Sequence, residues 1–390
     1  MKFEGNLFDN RYSQGLQFGK QHASSATGLS FGSCTASAFP FAPRSPKSLA
    51  GLSNELDTAQ LTITVPSPLH SAQPSLTLPK QKLRAIAGPA FACLLFLLAV
   101  KLLWREAQEV TWEDFKAGFT GVPTIYLGIA AFLIALNYGL LIAYDLLALR
   151  YICRSLPLRR VALVAFMGFT LGNNLGTFMA GAPIRYRFYS RWGLTARQIV
   201  VLISICGLTF WSGLWFLGGI VLVSVPIELP ASVELPFGTR TLGVILLCLA
   251  FGYALVCWLW HKPWPIGELH LRPPALGLMS VQASVAAVDL LISATALYLV
   301  LPIDAAVPFA QVLAAYLVAI AITLMTQVPG GLGVLEVILV TLLKGTVGDS
   351  VLASVLIFRI LYYVLPLIFG MVTLVAHEIF SGAVEARQAR

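Results

Sequence analysis

Apolar residues in this chain run in long unbroken stretches, without the short alternation of a half-buried strand or the striped periodicity of a soluble helix. The runs at 90–100, 127–136, 199–208 and 242–249 belong to segments that approach the ~20 residues needed to span a bilayer core. Hydropathy places full spans at about 86–104, 123–149, 199–223, 242–260, 276–300 and 351–376. Two further apolar stretches are interrupted. Residues 161–182 carry Gly172, Asn173, Asn174 and Gly176, and residues 309–343 carry Thr326, Gln327, Pro329, Gly330, Gly331 and Gly333 in their middle. Proline removes a donor and clashes with the preceding turn, and clustered glycines do not hold a helix, so both stretches are expected to break.

Sidedness follows from the bias of Lys and Arg toward cytosolic loops. Lys80, Lys82 and Arg84 precede the first span, whereas Glu106, Glu109, Glu113 and Asp114 follow it. The stretch 161–182 is flanked on one side by Arg150, Arg154, Arg159 and Arg160 and on the other by Arg185, Arg187, Arg191 and Arg197. Basic loops at both ends predict a re-entrant segment, the alternative being a short full span. Sidedness closes only if 309–343 is re-entrant from the opposite face, which puts both termini in the cytosol. The expected fold class is an all-α polytopic membrane protein with about six full transmembrane helices plus two re-entrant hairpins. Helix, hairpin and helix recur at 123–149, 161–182, 199–223 and at 276–300, 309–343, 351–376, the second set starting on the opposite side. An inverted repeat with breaks at matching places points to a transporter whose site lies near the midplane.

Composition agrees. The chain is 57% hydrophobic and 11% charged, against about 25% charged in an average soluble domain, which excludes a soluble enzyme. Its net charge of +8 resides mostly in short loops, so it reads as topology-setting and no nucleic-acid partner is expected. Residues 1–82, rich in Ser, Pro and Gly, are expected to form a disordered tail; an organelle transit peptide or a misassigned start would have the same composition. The transmembrane domain covers 83–378 and a short cytosolic tail 379–390. Cysteines at 93, 153, 206, 248 and 257 show no CxxC spacing and read as small hydrophobes rather than metal ligands or disulfides.

Ionisable groups at membrane depth are costly, at least ~2.5 kcal/mol each, and read by default as functional. Asp289, Glu336 and Arg359 are such groups. By helical rise, Glu336 and Arg359 both lie roughly 12 Å below the outer boundary and can pair, either at a transport site or as a clamp on the hairpin. Asp289 lies nearer the midplane and faces either the cavity or the arginine. On the cytosolic side, Arg185, Arg187 and Tyr189 offer guanidinium forks and a ring at headgroup level, where phosphate would bind; a plain basic loop is the alternative. Asn173, Asn174 and Gln327 at the breaks complete the expected translocation residues, with Gly172, Gly176, Pro329, Gly330, Gly331 and Gly333 shaping the hairpin backbone. His377-Glu378 lacks the second histidine of HExxH, and no P-loop is present. No catalytic residue, metal or cofactor is therefore assigned, and movement is expected to be passive or driven by a gradient.

The run Leu171-Gly172-Asn173-Asn174-Leu175-Gly176, the segment Arg185-Tyr186-Arg187-Phe188-Tyr189 with Gly193-Leu194, and Val328-Pro329-Gly330-Gly331-Leu332-Gly333-Val334-Leu335-Glu336 together resemble the lysylphosphatidylglycerol synthase transmembrane region. This is the flippase part of the multiple peptide resistance factor and of stand-alone bacterial membrane proteins. The resemblance covers about residues 85–376 and implies a multi-pass protein of the bacterial cytoplasmic (inner) membrane that moves an aminoacylated or related phospholipid between leaflets. Bifunctional members continue into an aminoacyl-transferase domain, whereas this chain ends about fourteen residues beyond its last expected helix. It is therefore expected not to be an enzyme, and its lipid need not be the lysyl lipid. Alternatives are a non-transporting partner of a separate lipid-modifying enzyme, or an intramembrane lipid phosphatase. The phosphatase would need Ser and Arg after the Pro-Gly, where Leu332 and Gly333 stand. A homo-oligomer stays open.

Overall fold

A computed structural model describes Leu97, Lys101 and residues 121–225, 238–260, 262, 264–266, 269–302, 307–326, 329–331, 333–347 and 350–388. The expected tail 1–82, the span at 86–104 apart from Leu97 and Lys101, and Gln327 lie outside the described residues.

The chain is helical almost throughout. Helix α1 (Thr124–Tyr151) and α2 (Leu158–Leu175) each follow a proline, Pro123 and Pro157, whose fixed φ suits the residue ahead of a helix. A π-helical turn, Thr177–Gly181, leads into α3 (Ala182–Arg191). Helix α4 (Ala196–Ser224) starts on a capping box: the Thr195 hydroxyl accepts from the Gln198 backbone N–H at 3.3 Å, and the Gln198 side chain accepts from the Thr195 N–H at 3.1 Å. Helix α5 (Thr239–Leu259) is followed by a ribbon of two three-residue strands, β1 (Trp264–Ile266) and β2 (Leu269–Leu271), the one exception among the described residues to an all-α fold. Then come α6 (Leu276–Leu299), α7 (Phe309–Thr326), a 3₁₀ turn at Pro329–Gly331, α8 (Val334–Val347), α9 (Val351–Arg359), a second π-helical turn at Ile360–Val364 and α10 (Leu365–Gln388). Helix α10 thus runs on through most of what reads from sequence as a short tail.

Six helical segments among the described residues are long and apolar enough to cross a membrane: α1, α4, α5, α6, α7 and the continuous 351–378 stretch of α9–α10. Five coincide with expected full spans. The sixth is α7, the first arm of the stretch expected to be re-entrant, because its 18 apolar residues suffice by length. Large apolar side chains such as Phe132, Phe251 and Trp258, each more than 60% exposed, face outward, as a bilayer requires of a polytopic membrane protein.

Both interrupted stretches are helical hairpins. Gly176, at φ +96°, ends α2 in a backbone conformation that a side chain would strain, and the chain then doubles back. Gly172 lies against Gly181, and Gly168 against Arg185, so α2 and α3 run antiparallel. In the second hairpin Gly330, Gly331 and Gly333 all take positive φ between α7 and α8, which pack together. The two halves exchange contacts reciprocally. Their first helices, α1 and α6, pack against each other; α4 packs on the α7 arm of the second hairpin, and α10 packs on the α2 arm of the first. Of the cysteines expected to be plain hydrophobes, Cys206, Cys248 and Cys257 are free thiols. Cys153 is instead disulfide-bonded; it stands just past the end of α1, where the chain leaves the helix, so it is not packed as a core hydrophobe.

The α4–α6 contact depends on Gly213, where a Cβ would stand 2.8 Å from the backbone carbonyl carbon of Ala286. Gly252 in α5 has nothing within 4 Å of the same atom. We expect Gly213→Ala to lower the melting temperature of the detergent-purified protein, at a cost of about 1–3 kcal/mol from overpacking. Gly252→Ala should leave it unchanged or raise it slightly, since alanine is the better helix former by ~1 kcal/mol. A thermal-shift assay of the two variants reads the difference.

Candidate functional site: a cavity between two hairpin tips

A cavity of about 370 Å³ opens between α1, α4, α6, α7 and the tips of both hairpins. Its lining mixes the apolar side chains of Ile203, Phe210, Leu290, Ile320 and Leu324 with the polar ones of Asn173, Asp289, Ser293, Tyr144, Tyr316 and Tyr362. The Thr323 hydroxyl also lines it and, among the described residues, has no hydrogen-bond partner. Such a volume matches a small-molecule pocket, which is typically about 300–1,000 Å³. Its mixed lining suits an amphiphile.

Asp289 projects from α6 and is 4% exposed. Tyr144 donates to its Oδ2 at 2.6 Å, and the Asn137 amide donates to its Oδ1 at 2.6 Å and to its backbone carbonyl at 3.0 Å. Asn137 in turn accepts from the Tyr362 hydroxyl at 3.2 Å, and Tyr138 donates to the Tyr362 carbonyl at 3.0 Å. Every contact of the Asp289 carboxylate among the described residues is therefore with a neutral donor. The expectation that Asp289 faces either the cavity or the arginine resolves to the cavity.

A second carboxylate in the same region behaves differently. Asp145, fully buried on α1, receives a bidentate fork from Arg185: Nε to Oδ1 at 3.0 Å and Nη2 to Oδ2 at 2.9 Å. Tyr189 donates to the same Oδ1 at 3.1 Å, and the guanidinium lies 4.4 Å from the centroid of the Phe169 ring. Gly168 makes room for it, since a Cβ there would stand 3.1 Å from an Arg185 Nη1. Arg185 and Tyr189 were expected at headgroup level as phosphate collectors. They are instead buried at 2% and 0% exposure, because Asp145 gives their polar atoms a partner in the core. Arg187, midway along α3, has its Nη2 2.6 Å from Glu378 of α10, beside the edge-to-face contact of Phe188 with His377.

The hairpin tips meet. A Cβ on Gly330 would stand 2.9 Å from the Asn174 carbonyl oxygen, so only glycine lets the second tip seat on the first. The Asn174 side chain donates to the Thr170 carbonyl at 2.8 Å and to the Tyr363 carbonyl at 3.2 Å, fastening the first tip to the π-helical turn. Arg359 donates to the Gly330 carbonyl at 3.0 Å and pairs with Glu336 at the start of α8. The pairing read from helical rise is thus present in the structure. Of the residues singled out from sequence, Asn173, Arg185, Asp289, Gly172, Gly176, Gly330 and Gly331 line the cavity. Asn174, Glu336 and Arg359 brace the tips behind it, Arg187 lies apart, and Pro329 opens the 3₁₀ turn. Sequence reasoning missed Asp145, Asn137 and Tyr144. Their one signal was that three polar residues recur at 137, 144 and 145 in an otherwise apolar span, about two helical turns apart.

These features define a class: a multi-pass membrane protein whose two glycine-broken hairpins meet beside a cavity of mixed polar and apolar lining. No protein-family model matches the chain. It is 33% identical over 311 residues to the uncharacterized protein slr0712 of Synechocystis, covering 79% of this chain and 97% of that one. It is 30% identical over 291 residues to the inner membrane protein YbhN of Escherichia coli, covering 74% and 91% respectively. Against the phosphatidylglycerol lysyltransferase of Staphylococcus haemolyticus it is 25% identical over 305 residues, 75% of this chain but 34% of that protein. The chain belongs to the lysylphosphatidylglycerol synthase transmembrane region family, which YbhN and the membrane part of the lysyltransferases share.

The Asp145–Arg185 pair is fully buried, and removing one member leaves the other charge uncompensated. We expect Arg185→Gln and Asp145→Asn each to destabilise the purified protein by about 3–5 kcal/mol, and the double variant by clearly less than their sum. Melting temperatures of the three variants in one detergent close the cycle.

Proposed function

We propose that this protein is a lipid translocase of the inner membrane that moves a phospholipid between leaflets, without changing its covalent structure. The observation that carries this reading is the cavity itself: lined by apolar and polar side chains together, and bounded by two hairpin tips that meet at Gly330 and Asn174. In this reading both hairpins enter the bilayer from opposite faces without crossing it. Broken backbone at that depth is tolerated where protein or a watery cavity surrounds it, which is the setting of both tips. The inverted halves would then open the cavity to one leaflet at a time, with the Gly330–Asn174 contact and the Arg359–Glu336 pair closing the far side. The inner-membrane placement is supported by the relative YbhN, and a phosphatidylglycerol-like lipid by the lysyltransferases.

One observation favours a second reading. Those lysyltransferases carry about two thirds of their length beyond the part that this chain matches, so a membrane domain of this kind works beside other chemistry and would serve as the partner of a separate lipid-modifying enzyme.

Leaflet exchange of fluorescent phospholipids in proteoliposomes tests the translocase. Wild type should accelerate exchange, and Glu336→Gln and Arg359→Gln, at matched reconstitution and with normal elution profiles, should each lose at least about tenfold, equivalent to ~1.4 kcal/mol on the barrier. Absence of exchange with anionic, zwitterionic and aminoacylated lipids alike would leave the partner reading.

A further inference from the structure

Three carboxylates stand at or beside the cavity, and their partners differ in kind. Asp145 is held by the fork of Arg185, and Glu336 is paired with Arg359, so each has a fixed positive partner. Asp289 has Tyr144, Asn137 and, at its backbone, Ser293. An ionised carboxylate buried among neutral donors is costly, and a group in that position readily takes up a cation.

We infer that Asp289 is a proton-binding site coupled to lipid movement, loaded and unloaded through the cavity that its side chain lines. This rests on the translocase reading. The local geometry accommodates both states of the group. In the ionised state the Tyr144 hydroxyl donates to Oδ2 at 2.6 Å. When a proton from cavity water binds Oδ2, the new O–H donates along the same line to the Tyr144 oxygen, since a hydroxyl both gives and accepts, and the tyrosine hydrogen turns toward the cavity. The Asn137 amide keeps donating to Oδ1 in either state. Both carboxyl oxygens keep a partner in either state, and the Tyr144 hydrogen, once turned, is left to water in the cavity. Release returns it to water when the cavity faces the other side.

The surroundings hold little that competes. Tyr138 and Tyr144 face the site from α1, Tyr316 from α7, and Tyr362 with Tyr363 from the second π-helical turn; Cys206 of α4 and Arg185 of α3 lie on the cavity wall. The tyrosines and the thiol are neutral at ordinary pH, and Arg185 is taken up by Asp145. The site also has a physical connection to the tips. Asn137 joins Asp289 to the Tyr362 hydroxyl, and the carbonyl of the next residue, Tyr363, accepts from Asn174, against whose own carbonyl Gly330 is seated. Neutralising Asp289 weakens the acceptor at one end of that chain. π-helical turns inside helices are frequent at functional sites, and this one lies on the path.

The experiment uses the full chain in proteoliposomes with a fluorescent phosphatidylglycerol. In wild type, an imposed pH gradient should skew the leaflet distribution at steady state, and collapsing it with a protonophore should restore symmetry while exchange continues. Asp289→Asn, which is isosteric with the protonated acid, should lose the skew under the same gradient, its rate of exchange without a gradient being measured alongside. A skew that survives in Asp289→Asn, or exchange in wild type that ignores the gradient, overturns the proposal while leaving translocation standing. Infrared difference spectra of the detergent-purified protein between acid and neutral pH give a readout that needs no transport. A protonated-carboxyl band present in wild type and lost in Asp289→Asn is expected, and its absence in wild type overturns the assignment even if no lipid moves.

Discussion

A helix broken inside an apolar interior leaves carbonyls and N–H groups that cannot go to water, and the arrangement of this protein follows from where those groups find partners. The first break, at Gly176, and the second, at Pro329–Gly333, are brought to the same place and made to satisfy each other's surroundings. Arg359 covers the Gly330 carbonyl and Asn174 covers the Tyr363 carbonyl, so the second tip is held by the last membrane helix and that helix by the first tip. Glycine at 330 is required twice over, by its positive φ and by the Asn174 oxygen 2.9 Å from where a Cβ would stand. The cavity is the space left on the other side of this joint.

Buried charge is distributed by the same logic. Arg185 and Arg359 are each tied down by a carboxylate, and each braces a hairpin: Arg185 in the return arm of the first, Arg359 at the tip of the second. Two buried ion pairs contribute little net stability over apolar replacements, but they penalise any packing that separates their members. They therefore act on specificity of arrangement more than on overall stability. Asp289 is outside this scheme, and the difference lies in the chemistry of its neighbours rather than in its burial, since Asp145 is buried as deeply.

Hydropathy made the long helices legible, because a bilayer asks only for length and apolarity, and glycine and proline marked both breaks. The partners of the ionisable groups were harder. Glu336 and Arg359 were paired from helical rise alone, since they lie on consecutive segments whose depths can be counted. Arg185 and Asp145 are 40 residues apart on helices that touch only in the folded protein, and the basic loop around Arg185 made solvent exposure the natural reading. Asp145 itself lies five residues from Arg150, near enough to the helix end to pass for an interfacial residue. Tertiary contact, which no local pattern encodes, decided both. The count of long apolar helices shows the same limit from the other direction: α7, read from sequence as half of a re-entrant stretch, is by length and composition able to span, and Pro329–Gly331 separates it from α8.

These observations converge on a relation between the polar residues that line the cavity and its closure. Four of the residues that join Asp289 to the tips, Asn137, Tyr362, Tyr363 and Asn174, belong to three different elements: α1, the second π-helical turn and α2. A ligand or proton that alters the charge at Asp289 acts on a bond shared with the segment that fastens the first tip, and a movement of the tips must alter the donors around Asp289. Such a linkage is reciprocal by thermodynamic necessity. The π-helical turn is the natural place for it to act, because a backbone with one residue too many per turn can return to the α register by a small shift, and here that shift would move Tyr362 and Tyr363 together.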